Sequence, residues 1–339
     1  MMLGALSFCK KNKTTSRRML EQMVLGRILS RTTTTNTVER MVEDHEMVGV
    51  FVMPEVVGRG LYAKVDIAQG SVVHREVPLV STAPVSKKGL WCSVCMDPSH
   101  VTCGEGEGVW RGLERSCDWS ALYAYCSGGV ESNSSNVTVP QLKFPLLVAR
   151  LACMKMCGQS KDDLMKFLCY VNVDNGDEGV LLREEWRVGY EALVSCLHTT
   201  RHGNDINNIP SFEWYVSMMS RIHCNAFAVD VVDMVGLGQD YAAVLRSGLY
   251  LSPDAGSAVY LLGSLFNHSC VPNVDVSFPR NNHEIEFRAM RDIKKHEHLC
   301  VSYIDSTLPY QERQRRLEMG YGFRCMCDAC REDMSTGVV

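Results

Sequence analysis

Three cysteines within six residues, Cys325-x-Cys327-x2-Cys330, carry the densest chemistry in this chain of 339 residues. Thiolates at that spacing face one point only if the backbone wraps around it. A tetrahedral zinc takes four such ligands at about 2.3 Å, so the fourth must come from afar. Cys270 is the favoured fourth, because it stands in the unusual run Asn267-His-Ser-Cys-Val-Pro-Asn273. A second feature is Gly58-Arg-Gly-Leu-Tyr62. A Gly-x-Gly between strands lets backbone approach a ligand closely. It is not a dinucleotide fingerprint, since the third glycine and the following helix are missing, and no Gly-Lys-Ser/Thr makes it a phosphate loop. A third is the block Cys92-x2-Cys95, Cys103, Cys117 and Tyr125-Cys126-Ser127. Four of its thiols, or three with His100, could hold a second zinc; the alternative is a degenerate loop.

The chain around these groups is 46% apolar and 22% charged, the balance of a packed protein rather than a disordered one. Its net charge is -4. That argues against a surface built to hold nucleic acid, which rests on clustered Lys and Arg. No apolar run is long enough for a membrane span. With sixteen cysteines and no secretory signal, the expectation is a reducing compartment, where thiols pack cores or bind zinc. Cys153, Cys157, Cys169 and Cys196 fall on apolar helical faces and are expected to be core thiols.

Positioning such groups needs short strands at both ends of the chain. Val48–Val52, Leu61–Val65 and Ser71–Arg75 read as strands joined by tight turns, one at Gln69-Gly70. Val274, Val276 and Phe278 alternate with polar residues, and Ile285, Phe287, Leu299, Val301 and Tyr303 continue the pattern. Between lie a cysteine-rich stretch over 90–140 with little periodicity and a helical stretch over 141–230. There Leu142, Leu146, Ala149, Ala152 and Met156 recur at helical spacing, as do Phe212, Tyr215, Met219 and Ile222. Residues 309–319 read as a charged helix. The fold class expected is mixed, β-rich α+β, one domain split by a long insertion. Residues 1–40 stand apart. Seven Lys or Arg within residues 1–38, with abundant Thr and Ser, resemble an organellar presequence; a solvated basic tail and a nuclear-import patch at Lys10–Lys13 are the alternatives.

The order of motifs resembles a known family. Gly58-Arg-Gly-Leu-Tyr62, Cys224-Asn-Ala-Phe227, the Asn267–Asn273 run, Val301-Ser-Tyr-Ile-Asp305 and Phe323-Arg-Cys-Met-Cys-Asp-Ala-Cys330 together look like a SET-domain protein lysine methyltransferase. The SMYD branch and the plant trithorax-related SET proteins are the most similar. The resemblance implies a SET domain over 47–308, with a degenerate MYND-like insertion at 90–140 and a helical insertion at 141–230. A zinc-binding tail over 309–331 would follow. It implies S-adenosylmethionine and zinc as cofactors and a protein lysine, in a histone tail or another protein, as methyl acceptor. Arg59, Gly60, Asn225, Asn267, His268, Tyr303, Tyr321 and Phe323 would line the cofactor pocket, with Tyr303 at the site of transfer. Cys270, Cys325, Cys327 and Cys330 would hold the zinc, and Cys92, Cys95, Cys117 and Cys126 a weaker second one.

Two departures stand out. Val57 replaces a lysine usual before Gly-Arg-Gly, and His296-Glu-His-Leu299 replaces Gly-Glu-Glu-Leu/Ile. A SET scaffold that only binds proteins is the alternative function. The chain is expected to act as a monomer in the nucleus or cytoplasm, with a mitochondrion or plastid as the destination if the basic N-terminus is a presequence.

Overall fold

The computed structural model describes residues 42–53, 58–83, 96, 109–126, 144–170, 176–199, 208–229 and 256–336. The basic N-terminus, Val57, Cys92, Cys95, His100 and Cys103 lie outside the described residues. Four strands come first: β1 (Val48–Met53), β2 (Gly58–Ala63), β3 (Val72–Glu76) and β4 (Val80–Thr82). Six helices follow: α1 (Val109–Ser116), α2 (Ser120–Cys126), α3 (Phe144–Met156), α4 (Asp162–Phe167), α5 (Gly176–His198) and α6 (Phe212–Asn225). Strands β5 (Ala226–Val229), β6 (Gly256–Val259), β7 (Asn267–His268), β8 (Val274–Ser277), β9 (Ile285–Ala289) and β10 (His298–Val301) return. Helices α7 (Tyr310–Tyr321) and α8 (Asp328–Thr336) close the described chain.

The strands form three small sheets, ordered β1-β2-β10-β7, β3-β9-β8 and β4-β6-β5. Each sheet combines strands from before and after the helices, so neither end of the chain could form its sheets alone. Antiparallel β6 shows the junction directly. Val259 pairs with Val80 on one side and Ala226 on the other. The helical block therefore leaves and re-enters the sheet at one place. Its mixed α+β character matches expectation, but the helices hold more described residues than the strands. Two of them, α1 and α2, fall in the stretch read as aperiodic.

Apolar burial follows the same division. One core is helical: Leu147, Val148, Leu151 and Ala152 of α3 pack with Trp186 of α5 and Tyr215, Met219 and Ile222 of α6. Arg150 is buried on α3 yet paired, reaching Glu114 of α1 at 2.9 Å and the Ser81 carbonyl of β4. An unpaired cation there would carry a desolvation cost of several kcal/mol. The second core belongs to the strands, around Leu61, Phe266, Phe287, Leu299 and Val301. A third is small and contains Cys270, Leu317, Cys325 and Cys330. Cys153 and Cys196 are buried as expected, and Cys157 is partly so. Cys169 is not: it lies past the end of α4 and is exposed. The helix ends two residues earlier, so its apolar face never reaches that thiol.

Candidate active site

Strand β10 organises the site. It pairs antiparallel with β2 on one side, His298 opposite Tyr62 and Leu299 opposite Leu61. On the other it pairs parallel with the two-residue β7, Cys300 opposite Asn267 and Val301 opposite His268. The glycine turn and the Asn-His run are thus flanking neighbours of one strand. Asn273 fixes the far end of that run: its side chain accepts from the Cys300 N–H at 2.8 Å and donates to the His298 carbonyl at 2.8 Å.

Asn267 crosses to β2, donating from Nδ2 to the Arg59 carbonyl at 3.2 Å. Gly60 lies beneath it. A Cβ at Gly60 would stand 2.4 Å from Asn267 Nδ2 and 2.7 Å from the Phe51 ring. Only a glycine permits so close a cradle. The Arg59 guanidinium sits 4.1 Å from the centre of the Phe167 ring at the end of α4, so its cation is held by an aromatic face.

Tyr303 follows β10 directly. Its hydroxyl donates to the Phe266 carbonyl at 2.6 Å, and its backbone N–H donates to His268 Nδ1 at 3.0 Å. The phenol ring lies 4.8 Å from Tyr321, 5.4 Å from His268 and 6.4 Å from Phe323. Burial pushes the phenol above its ordinary range, with Tyr321 and the thiols of Cys169, Cys300 and Cys224 adding to the effect. It therefore stays protonated and donating. Because His268 Nδ1 accepts, its proton stands on Nε2, which faces Cys270 Sγ at 3.4 Å. Burial lowers the His268 pKa to about 4. One imidazole thus joins the aromatic pocket to the cysteine cluster.

Asn225 is placed differently. It ends α6, is buried, and donates to the carbonyls of Cys169 at 2.8 Å and Arg221 at 2.7 Å. Its carbonyl accepts from Ser264, in the 3₁₀ turn Gly263–Leu265 that leads into Asn267. Among the described residues it makes no hydrogen bond to Asn267 or Tyr303, and it reaches the site through that turn.

The four expected thiols do meet. Cys270, Cys325, Cys327 and Cys330 place all their sulfurs within 4.8 Å of one another. Cys270 lies 3.6 Å from Cys330 and 4.0 Å from Cys325. Bonds of about 2.3 Å in a tetrahedron require sulfurs about 3.8 Å apart. The donor set therefore fits a metal that prefers thiolates. Gly322, at φ 73°, ends α7 and turns the chain into Phe323 and the cysteines. Cys327 is held well below the usual thiol range, first by the Cys325 thiol and then by backbone N–H groups of Cys330 and Cys270. Two residues that sequence reasoning passed over brace the cluster. Gln314 bonds both backbone groups of Cys325 at 3.0 Å and donates to Cys330 Sγ at 3.3 Å. Arg313 reaches Cys330 Sγ at 3.9 Å and Asp333 at 2.5 Å. Their only sequence signal was spacing on a charged helix. Of the second expected cysteine set, Cys117 and Cys126 are buried in the helical core, and Cys92 and Cys95 lie outside the described residues.

Residues 58–304 match the family model for the SET domain. The chain belongs to the SET-domain family of protein-lysine N-methyltransferases. A relative in Arabidopsis thaliana, named histone-lysine N-methyltransferase ATXR4, is 27% identical over 292 residues, covering 82% of this chain and 84% of the relative. Protein-lysine N-trimethyltransferase SMYD5 of Mus musculus is 42% identical over 78 residues, 22% of this chain and 19% of that one. Among solved structures, the SET domain of LSMT bound to lysine and AdoHcy aligns with a TM-score of 0.42 at 12% identity, covering 88% of this chain and 58% of that one.

Proposed function

We propose that this protein transfers a methyl group from S-adenosylmethionine to the ε-amine of a lysine in a protein substrate, a histone tail or another protein, with Tyr303 at the point of transfer. The observation that carries this reading is the placement of Tyr303. Its hydroxyl is anchored on the Phe266 carbonyl, its ring is walled by His268, Tyr321 and Phe323, and the Gly60–Asn267 cradle lies on the two strands that flank β10. Arg59, Gly60, Asn267 and His268 would hold the cofactor, with Asn225 supporting them from behind. When bound, S-adenosylmethionine supplies a methyl group on a positively charged sulfur.

The chain's own groups have two tasks. A lysine with pKa near 10.4 is neutral in only about one copy per few thousand at pH 7, and only the neutral amine is a nucleophile. Burial among Tyr303, Tyr321 and Phe323 disfavours the ammonium and lowers that pKa. The second task is alignment. The Tyr303 hydroxyl spends its proton on Phe266, so its oxygen is left as an acceptor that can orient an amine N–H. No carboxylate serves as base. Asp305 is exposed and its carboxylate is occupied by Thr307 at 2.9 and 2.6 Å.

The thiol cluster is read as a structural zinc site that closes the tail over the aromatic wall, a role in which all four positions are filled and none is left for water. The boundaries 47–308 for the SET domain and 309–331 for the tail belong to the same reading, as does a nuclear role, which the histone-lysine names of relatives support. The test is transfer of a labelled methyl group onto proteins of an extract, comparing wild type with Tyr303→Phe. Labelling by wild type alone supports the assignment; equal labelling by both removes it.

A further inference from the structure

His298 stands where the resembling family carries the second glutamate of its acidic pair, and the reading above gives it no task. A His-Glu-His sequence before a strand looks like solvent-facing charge. The structure half-buries its imidazole. Its ring packs edge-on against Phe51 with centroids 4.8 Å apart, and its Nε2 lies 3.2 Å from Asn267 Nδ2 and 3.0 Å from where a Gly60 Cβ would stand.

The hydrogen-bond pattern fixes which atoms face which. The Arg59 carbonyl can only accept, so the Asn267 atom beside it is the amide nitrogen. That nitrogen carries two hydrogens. One goes to Arg59, and the other points to His298 Nε2, which must then be an unprotonated acceptor with the ring proton on Nδ1. Burial agrees, lowering the His298 pKa to about 4. With both hydrogens committed to β2 and β10, the carboxamide oxygen is turned away from those strands. An isolated asparagine could flip its amide by half a turn at little cost; this one would set oxygen against oxygen at Arg59 and lose its bond to His298.

We propose that His298 is a positioning residue for cofactor binding, an acceptor that locks the Asn267 amide so that its oxygen is always the group offered to the cofactor cradle. This rests on the methyltransferase reading, because the ligand is the one that reading assigns. A cationic ammonium, such as the amino-acid end of S-adenosylmethionine, is the chemistry an oriented amide oxygen selects. Any acceptor of similar reach at 298 would serve, which makes a glutamate and a neutral histidine equivalent here. A donor or an apolar group would not.

The experiment compares wild type with His298→Gln and His298→Met, two side chains of equal length of which only the first carries a strong acceptor. Affinity for S-adenosylhomocysteine is measured by titration calorimetry, KM for S-adenosylmethionine and kcat by methyl transfer, and Tm by calorimetry. The expected result for His298→Met is a roughly tenfold rise in Kd and KM, the size of one lost hydrogen bond, with kcat within about twofold. His298→Gln should stay within about threefold of wild type in both. Equal binding by all three proteins, or equal loss by both variants, overturns the proposal. If His298→Met does not fold, His298→Gln decides alone: near-wild-type binding upholds it and a loss beyond tenfold overturns it. Wild type that binds no S-adenosylhomocysteine while remaining folded would instead sink the methyltransferase reading.

Discussion

The proposed cofactor cradle and the cysteine tail meet at His268, yet they are held by opposite means. The cradle is braced by secondary structure: β10 lies between β2 and β7, Asn267 and Asn273 staple the run at each end, and Leu61, Leu299 and Val301 are almost wholly buried beneath. The tail has no such foundation. Its core holds four buried residues, three of them cysteines. A helix as short as α8, rich in charge, cannot bury enough apolar surface to stand alone. The difference teaches that one pocket wall is pre-formed by the fold, while the other, on the proposed zinc reading, is conditional on the metal that the thiols would hold.

The largest expected effect breaks the conditional wall. Cys330→Ser, or treatment with a strong chelator, should abolish methyl transfer to below about a thousandth of wild type, because a structural zinc site supplies the folding free energy of its segment. The strand core should survive. Calorimetry should therefore retain the main unfolding transition, while hydrogen exchange of residues 310–336 accelerates. Retained protection of that segment in Cys330→Ser would show that the tail folds without a metal, and the contrast between the two walls would disappear.

Tyr303→Phe comes next, because it touches both walls while leaving each in place. The loss is the bond to the Phe266 carbonyl and the oxygen that, on the proposed reading, would orient the amine. A fall in kcat of roughly 10²–10³ is expected, with cofactor affinity changed by less than about threefold. A variant that lost affinity and kcat together would make Tyr303 a prop for the cradle rather than a participant at the transfer point. Gly60→Ala probes the pre-formed wall alone. Its added Cβ meets the Asn267 amide and the Phe51 ring, both packed, so neither can give way freely. Overpacking of this kind costs about 1–3 kcal/mol, here expressed chiefly as a tenfold or greater loss of cofactor affinity measured by calorimetry.

The same contrast explains what could be read from the chain and what could not. The meeting of the four thiols was legible because Cys325, Cys327 and Cys330 at that spacing announce a shared point, and Cys270 was singled out by the oddity of its surroundings. The motif order also placed Tyr303 beside the Asn-His run and between flanking strands, and the structure brings it next to His268, Tyr321 and Phe323. Residues whose job depends on tertiary placement stayed hidden. His298 stood out only as a departure from the acidic pair, and its contact with Asn267 emerges only once β10 is seen between β2 and β7. Gln314 and Arg313 look like any solvated helix face. Cys169 matched an apolar period, but α4 ended at Phe167 before that period could bury it. Helices α1 and α2 were missed because each is too short to show a full hydrophobic repeat, and α3 packs such a broad face that Leu147 and Leu151, rather than Leu146 and Met156, are the most deeply buried.

Acid should sharpen the comparison with the smallest effect. His45 and His298 both sit in the strand region with pKa values lowered to about 4, in each case chiefly by burial. His45 Nδ1 accepts from the backbone N–H groups of Met47 and Val48 at 3.2 and 3.1 Å, bonds that a protonated ring would break. In the unfolded chain both rings titrate near 6.5. Between these values the unfolded state binds more protons than the folded one, so stability present above pH 6.5 is lost as the pH falls towards 4 and levels off below it. Partial solvation discounts each contribution to on the order of 1 kcal/mol, a drop of a few degrees in Tm. His268 titrates over the same window. Replacing His298 by Gln removes one of these three titrations and should make the curve shallower over that window, and an unchanged slope would mean that His298 is already protonated in the fold and that the Asn267 amide is held some other way.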